Sequence, residues 1–150
     1  MDAKQFVMKI EDIDAKIEGR SYEIAKLKLI ASGRTSQWGS ERVQSSGSHD
    51  KMANTIVQYI DYENDAEICE LMQLKQEIID AIKKLQTKHY KMLHRIYVQG
   101  MSIRDVYLQE GMSRTWGDNT HNNALKELQG VIDNMEEGEW DVLKDRLLRI

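Results

Sequence analysis

The sequence predicts an all-α protein, and three observations lead to this prediction. The 150 residues contain no proline and a single phenylalanine. The nine glycines are bunched between long stretches without helix breakers, whereas a many-stranded fold needs regularly spaced turns. Apolar residues in two long segments recur at alternating steps of four and three, which is the period of a helix face. The composition, 41% hydrophobic and 31% charged, favours one compact domain over wholesale disorder.

The first predicted helix occupies the N-terminal 31 residues. Its apolar positions form a heptad-like seam, interrupted only by Arg20. Ser32 and Gly33 end the helix, and the segment 32–49 is rich in serine and glycine, which is typical of a flexible loop. The seam consists of Phe6, Ile10, Ile13, Ile17, Ile24, Leu27 and Ala31.

A second helix is predicted to begin near Asp50 and to continue to Leu85. At 1.5 Å per residue it would be about 50 Å long, too long for one small core to cover, so it needs a partner helix. The first helix can fold back along it as an antiparallel hairpin, or two chains can form a coiled coil. Asn64 is either a buried amide that fixes the register or a partly exposed polar residue. The seam consists of Val57, Ile60, Asn64, Glu67, Leu71, Leu74, Ile78, Ala81 and Leu85.

The segment 87–129 predicts a helix-turn-helix. A helical stripe ends at Gly100, Ser102 can cap a short second helix, and Gly111 supplies a left-handed turn that glycine adopts at little cost. Ser113 can then cap a third helix. This spacing is typical of a helix-turn-helix, whose third helix enters the major groove of DNA. The residues expected to fix the angle between the helices are Ile103, Val106, Met112, Leu125 and Leu128.

Several residues carry a resemblance to a known family. They are Gly111-Met112-Ser113, Trp116, His121, the run Ala124-Leu125-Lys126-Glu127-Leu128 and, further upstream, His49-Asp50-Lys51-Met52-Ala53. The chain resembles region 4 of sigma-70 factors, and more closely the sigma-like late-transcription activators of phages of Gram-positive bacteria, the group of the RinA and ArpU proteins. The resemblance implies binding to double-stranded promoter DNA and activation of late phage genes in the bacterial cytoplasm. Host RNA polymerase is a candidate partner, and whether it is contacted stays open.

Three positions depart from the pattern of that family. Tyr107 stands where a small residue normally lets the two helices approach, and Gly117 and Thr120 replace aliphatic core positions of the third helix. The run 117–123 has poor helix propensity throughout, at a cost of about 4 to 5 kcal/mol relative to alanine. Two interpretations stay open. The amides of this helix read adenine edges in the major groove, or the motif has decayed and now serves protein contacts.

Each candidate residue has a role in the DNA-binding interpretation. Ser113 and the first amides of the third helix would hold a phosphate, and Trp116 is expected to pack rather than to read bases. The residues expected to face the groove are Arg114, Thr115, Asp118, Asn119 and Asn122, and those expected to touch the DNA backbone are Arg104, Lys126 and His121.

The charge of the chain limits its affinity for DNA as a monomer. The segment 87–129 has six basic and four acidic residues, whereas the whole chain has a net charge of -4. A monomer should therefore bind DNA poorly, and dimerisation through the long helices or help from RNA polymerase would supply the missing affinity.

No catalytic or metal-binding pattern is present in the sequence. It has no HExxH motif, no paired cysteines and no glycine-rich phosphate loop, so we expect no enzyme activity, no cofactor and no metal. Cys69 is the single cysteine, and the N-terminus lacks the apolar core of a signal peptide. No window approaches eighteen apolar residues. We therefore expect a cytoplasmic protein that does not enter a membrane.

The segment 130–150 is expected to be an acidic tail, interrupted by Gly130 and Gly138 and ending in an amphipathic helix of about ten residues. Three interpretations of this tail stay open: a lid on the helix-turn-helix, a contact for a partner, or a solvated acidic end. The predicted organisation is a helical hairpin at 1–86, the helix-turn-helix at 87–129 and this tail.

Two other classes of function stay open beside the activator. A helical adaptor with a vestigial helix-turn-helix would show no sequence-selective DNA affinity. A DNA-packaging protein of the small-terminase kind would form ring-shaped oligomers.

Overall fold

The computed structural model describes residues 1–31 and 64–150. Over these ranges the protein consists of helices and short connections and contains no strand, as the sequence predicts. None of the helices in the two ranges combines the length and the apolar character that crossing a bilayer requires. The α-helices are α1 (Ala3–Ala31), α2 (Ala66–Lys83), α3 (Thr87–Leu93), α4 (Ile103–Gln109), α5 (Arg114–Asp133) and α6 (Glu137–Leu148), and a π-helical turn (His94–Val98) follows α3 directly.

Several predictions fall on residues 32–63, outside the described residues. They are the serine- and glycine-rich loop at 32–49, the helix start near Asp50, the seam positions Val57 and Ile60 and the motif at 49–53.

The chain forms two compact units. One contains residues 1–14 and 73–150, and the other contains residues 15–72. The helices α1 and α2 each contribute to both units. Within the first unit, α1 and α2 are joined by an ion pair between Asp14 and Lys75, whose atoms lie 2.6 Å apart.

In the unit of residues 15–72, Arg20 pairs with the start of α2. Its guanidinium lies 3.1 Å from Asp65 and 3.2 Å from Glu67, which explains how an arginine interrupts an apolar seam. The hydrogen bond from Arg20 holds the pKa of the Asp65 carboxyl below its ordinary value. The same carboxylate accepts a hydrogen bond from the Ile68 N–H at 3.1 Å. Asp65 thus joins the two helices and stabilises the start of α2.

The seam is only partly buried in this unit. Ile24 is buried, but Leu27 and Ala31 are exposed, contrary to the prediction. Arg20 pairs with the start of α2, so the described residues of α2 lie beside the turns of α1 that precede Leu27. Asn64 is exposed, which agrees with the second of its two interpretations.

The core of the other unit begins on the first half of α1. Phe6, Ile10 and Ile13 are fully buried, as the seam predicts. Ala3 and Val7 are buried as well, so this face of the helix is wider than a coiled-coil seam. The second half of α2 contributes the predicted buried residues Leu74, Ile78 and Ala81, and the connection that follows it contributes Leu85.

The C-terminal helix α6 packs into the same core. Leu143 and Leu147 are buried, and Trp140 meets the Phe6 ring edge-on with centroids 5.6 Å apart. Arg146 forms an ion pair with Glu77 of α2 at 2.8 Å. These contacts argue against the solvated acidic end among the interpretations of the tail.

The expected interruption at Gly130 is wrong, because α5 continues through it to Asp133. Glycine in a helix costs about 1 kcal/mol relative to alanine. Burial of Leu128 and Ile132 on either side of Gly130 offsets that cost.

Candidate nucleic-acid interface

The connection between α3 and α4 is tight and capped at both ends. The π-helical turn closes with a hydrogen bond from the Gln99 N–H to the His94 carbonyl at 3.0 Å. Gly100 then adopts a left-handed φ of +73°, so the predicted helix end at this glycine is confirmed. Ser102 caps α4, since its hydroxyl accepts from the Asp105 N–H and its own N–H donates to the Asp105 carboxylate. This reciprocal pair is a capping box.

The connection between α4 and α5 is a glycine turn followed by a serine cap. Gly111 has a φ of +66°, as predicted for a left-handed turn. The Met112 N–H returns to the Tyr107 carbonyl at 2.8 Å and satisfies the end of α4. The Ser113 hydroxyl accepts from the Trp116 N–H at 3.2 Å. Both predicted roles, the turn at Gly111 and the cap at Ser113, are therefore confirmed.

The helices α4 and α5 touch at Gly117. A Cβ added there would lie 2.9 Å from Tyr107 Cδ1 and 3.3 Å from Ile103 Cγ2. The large Tyr107 thus occupies the space that Gly117 leaves free. A large residue on α4 and the smallest residue on α5 are therefore complementary, and the two helices approach closely.

The residues with poor helix propensity lie inside an unbroken helix. α5 runs for twenty residues from Arg114 to Asp133. One face of it is buried, and burial of this face favours the helix where propensity does not. The buried residues are Gly117, Thr120, His121, Ala124, Leu128 and Ile132.

His121 lies in the core rather than on the surface. Its side chain is 9% exposed, and its Nε2 lies 2.9 Å from the Tyr97 hydroxyl on the π-helical turn. Burial lowers the pKa of the His121 ring; the charge of Lys4 lowers it further, and Asp118 acts in the opposite sense. Burial also raises the pKa of Tyr97. His121 therefore joins α5 to the π-helical turn, and its ring is not exposed for the DNA-backbone contact that the sequence predicts.

A second polar pair joins α3 to α5. His89 is buried and hydrogen-bonded to the Glu127 carboxylate. The other oxygen of Glu127 accepts from the N–H of Gln86, the N-cap of α3, at 2.9 Å. Partial burial opposes ionisation of Glu127, but the hydrogen bonds from His89 and Gln86 hold its pKa below the ordinary value. This pair has no local signal in the sequence, because its members are 38 residues apart.

The other eight predicted site residues are exposed. On α5, the spacing of the groove-facing positions places them on one face, opposite the buried one. The Arg114 side chain is 83% exposed and lies 3.7 Å from the Asp118 carboxylate, which partly screens both charges. The exposed residues are Arg104, Ser113, Arg114, Thr115, Asp118, Asn119, Asn122 and Lys126.

The predicted packing residues are buried to different degrees. Val106 and Leu128 are buried, whereas Ile103 and Leu125 are half-buried. Met112 is 45% exposed, so its predicted place in the core is wrong. It lies in the surface turn between Gly111 and Ser113, outside both α4 and α5.

The described part of the chain contains no cluster of three or more histidine, cysteine, aspartate or glutamate residues that could hold a metal ion. The site is thus a polar helix face with no metal-ligand cluster beside it. No protein-family model matches the chain, and no curated protein or solved structure matches it either.

Proposed function

We propose that the chain is a sequence-specific DNA-binding transcriptional activator in which α4 and α5 form a helix-turn-helix of the sigma region 4 kind. The observation that carries the proposal is the close packing of α4 on α5 at Gly117. It holds α5 by one face and leaves the opposite face, which is polar, exposed. A helix held in this way fits the major groove of DNA.

Sequence would be read by the amides of α5. Asn119 and Asn122 are exposed, lie three residues apart and belong to the same face. Asparagine can make two hydrogen bonds to adenine in the major groove, each such pair giving about 1 to 3 kcal/mol of discrimination. Asp118, on the same face, would accept from the amino group of cytosine.

The register on the duplex would be set by contacts with phosphates. Ser113 and the free N–H groups at the start of α5 favour an anion. Arg104, Arg114 and Lys126 are exposed cations beside or on the same helix. Three phosphate contacts correspond to a slope of about -3 in a plot of log K against log salt concentration.

Three phosphate contacts give little affinity for DNA. Further affinity would come from assembly of the protein with a second copy or with a partner. The ion pairs Asp14–Lys75 and Arg20–Asp65 support a hairpin of α1 and α2. We propose that these long helices dimerise the protein and that host RNA polymerase supplies further contacts. The resemblance to phage late-transcription activators assigns this activity to the cytoplasm of a bacterial host.

The proposal is tested by fluorescence anisotropy with the full chain and a pool of intergenic DNA from the source genome, at two salt concentrations. The variant Asn119→Ala/Asn122→Ala should lose selective binding by about tenfold or more, while keeping the weaker salt-dependent binding. The matched control is Asn134→Ala, an exposed asparagine at the end of α5 and outside the proposed face.

Equal binding to all DNA by the folded protein, or loss of selectivity in the Asn134→Ala control, would contradict the activator. Absence of DNA affinity would favour the helical adaptor. Ring-shaped oligomers in light scattering would favour the packaging protein.

A further inference from the structure

We propose that a cavity on the back of α3, α4 and α5 binds an acidic peptide segment that carries one bulky apolar side chain, supplied by a partner protein. The cavity has a volume of about 250 Å³. None of the residues proposed to touch DNA lines it, so this site does not depend on the DNA-binding proposal.

The floor of the cavity is apolar and closed. Met92 of α3 and Val106 of α4 are each 1% exposed, and the half-buried Trp116 of α5 forms a wall. Pockets for drug-sized ligands usually measure about 300 to 1,000 Å³, so this cavity is smaller and suits a single leucine or phenylalanine side chain. Trp116, which the sequence predicts to pack rather than to read bases, therefore borders a concave apolar site.

The rim of the cavity is basic. Lys88, Lys91 and Arg95 occur at steps of three and four along α3 and the π-helical turn, which places them on one face. The carboxylate on this rim, Glu110, lies 2.5 Å from Arg95, which neutralises it. Lys88 and Lys91 are exposed and give the rim a net positive charge.

This rim has the opposite sign to the chain as a whole, whose net charge is -4. An acidic segment would be repelled by most of the protein and attracted at this rim, which gives specificity through charge complementarity. A partner segment would therefore place an apolar side chain between carboxylates.

A closed apolar floor distinguishes a peptide from a nucleic acid. A phosphate backbone needs only the lysines, and an unpaired base needs an exposed aromatic face on which to stack. Trp116 is half-buried in the wall. An acidic peptide with an apolar side chain uses both the floor and the rim. The contribution of that apolar side chain to affinity therefore separates a peptide from a nucleic acid.

The test uses the full chain labelled with ¹⁵N and a synthetic pentapeptide of one phenylalanine with two aspartates on each side. The chain has three tryptophans, and the variant Trp116→Phe identifies the indole signal of Trp116. The pentapeptide should shift this signal saturably. Replacing its phenylalanine by alanine should weaken binding about tenfold or more, because burial of an aromatic side chain is lost.

Two variants with the same loss of charge test the rim. Lys88→Gln/Lys91→Gln should weaken binding of the pentapeptide about tenfold. Lys16→Gln/Lys26→Gln, at exposed positions of α1, should leave it unchanged. All four substitutions are at exposed lysines, and circular dichroism of each variant checks that the helices are retained.

Three results would overturn the proposal. They are the absence of a saturable shift at Trp116, equal binding of the peptides with alanine and phenylalanine, and equal binding of a peptide in which lysines replace the aspartates. A short DNA duplex that shifts the Trp116 signal and displaces the pentapeptide would assign the cavity to nucleic acid instead.

Discussion

A methyl group at position 117 should destabilise the protein, although alanine is normally preferred to glycine inside a helix. The added Cβ in Gly117→Ala would lie 2.9 Å from the Tyr107 ring and force α4 and α5 apart. Overpacking of this kind costs about 1 to 3 kcal/mol, and the gain in helix propensity of about 1 kcal/mol offsets part of it. We expect a net loss of up to about 2 kcal/mol in the free energy of unfolding, measured by urea denaturation.

Gly130→Ala is the matched control in the same helix. Nothing lies within 4 Å of a Cβ added at Gly130, so this variant should gain about 1 kcal/mol. In a Tyr107→Ala background the cost of Gly117→Ala should fall, because the ring atom at 2.9 Å is gone, while Ile103 Cγ2 and the Cβ of residue 107 remain at 3.3 Å. An equal gain in stability for Gly117→Ala and Gly130→Ala would show that α4 and α5 do not approach at Gly117.

The buried His121 should make stability depend on pH. Its pKa in the folded protein is lowered by burial, so between this value and the ordinary pKa of 6.5 the unfolded chain binds more protons. The contribution of the neutral ring is therefore complete above pH 6.5 and is lost as the pH falls toward the folded-state pKa. Urea denaturation from pH 7.5 to 5.0 should show the advantage of the wild type over His121→Gln shrinking. Parallel profiles of the two proteins would contradict this.

Residues that act on their near neighbours were predictable from the sequence. Ser102, Gly111 and Ser113 have the predicted roles because a cap or a left-handed turn is decided within three or four residues. The pair of Tyr97 and His121 was not predictable. Its members are 24 residues apart, and a sequence carries no local signal for which surfaces meet.

The cap of α5 allows the effects of one residue on stability and on DNA binding to be separated. Ser113→Ala removes the hydroxyl that accepts from the Trp116 N–H and should cost about 1 kcal/mol. Ser113→Asp keeps a capping oxygen and adds a charge that the helix dipole favours, so its stability should match the wild type. The same charge would repel a phosphate, and affinity for DNA should fall in anisotropy measurements. Unchanged DNA binding by Ser113→Asp would remove the start of α5 from the proposed interface.

The lengths of the elements were harder to predict than their starts. α5 continues through Gly130 because its flanking apolar residues are buried, and burial depends on helices that come from distant parts of the sequence. The π-helical turn at His94–Val98 has no sequence signature. The positions of α5 that are expected to face the groove are exposed, because a period of 3.6 residues, once anchored by the cap at Ser113, fixes which positions lie opposite the core. Their contact with DNA stays a prediction.

Residues from the first turns of α1 belong to the same core as the C-terminal helix α6. Phe6 contacts Trp140, and the Ala3 N–H donates to Gln129 of α5 at 2.8 Å. Phe6→Leu should therefore lower the stability of the whole unit of residues 1–14 and 73–150 by about 1 to 2 kcal/mol, less than removal of the whole ring would. Hydrogen exchange should accelerate in α5 as much as in the first half of α1.

Met8→Ala is the control for that experiment, since Met8 is 45% exposed on the same helix. It should leave exchange in α5 unchanged. Faster exchange in α1 alone, with full protection kept in α4 and α5, would show that the proposed helix-turn-helix folds independently of the N-terminal helix.

The contact between Gly117 and Tyr107 also has an evolutionary consequence. A lineage that enlarges residue 117 first creates a collision, and one that shrinks residue 107 first leaves a void, so each single step passes through a weakened protein. The two positions should accordingly vary together among relatives, with a large residue beside a small one in either order. A motif search that scores each alignment column separately would therefore count residues 107 and 117 as two mismatches, although together they form a well-packed contact.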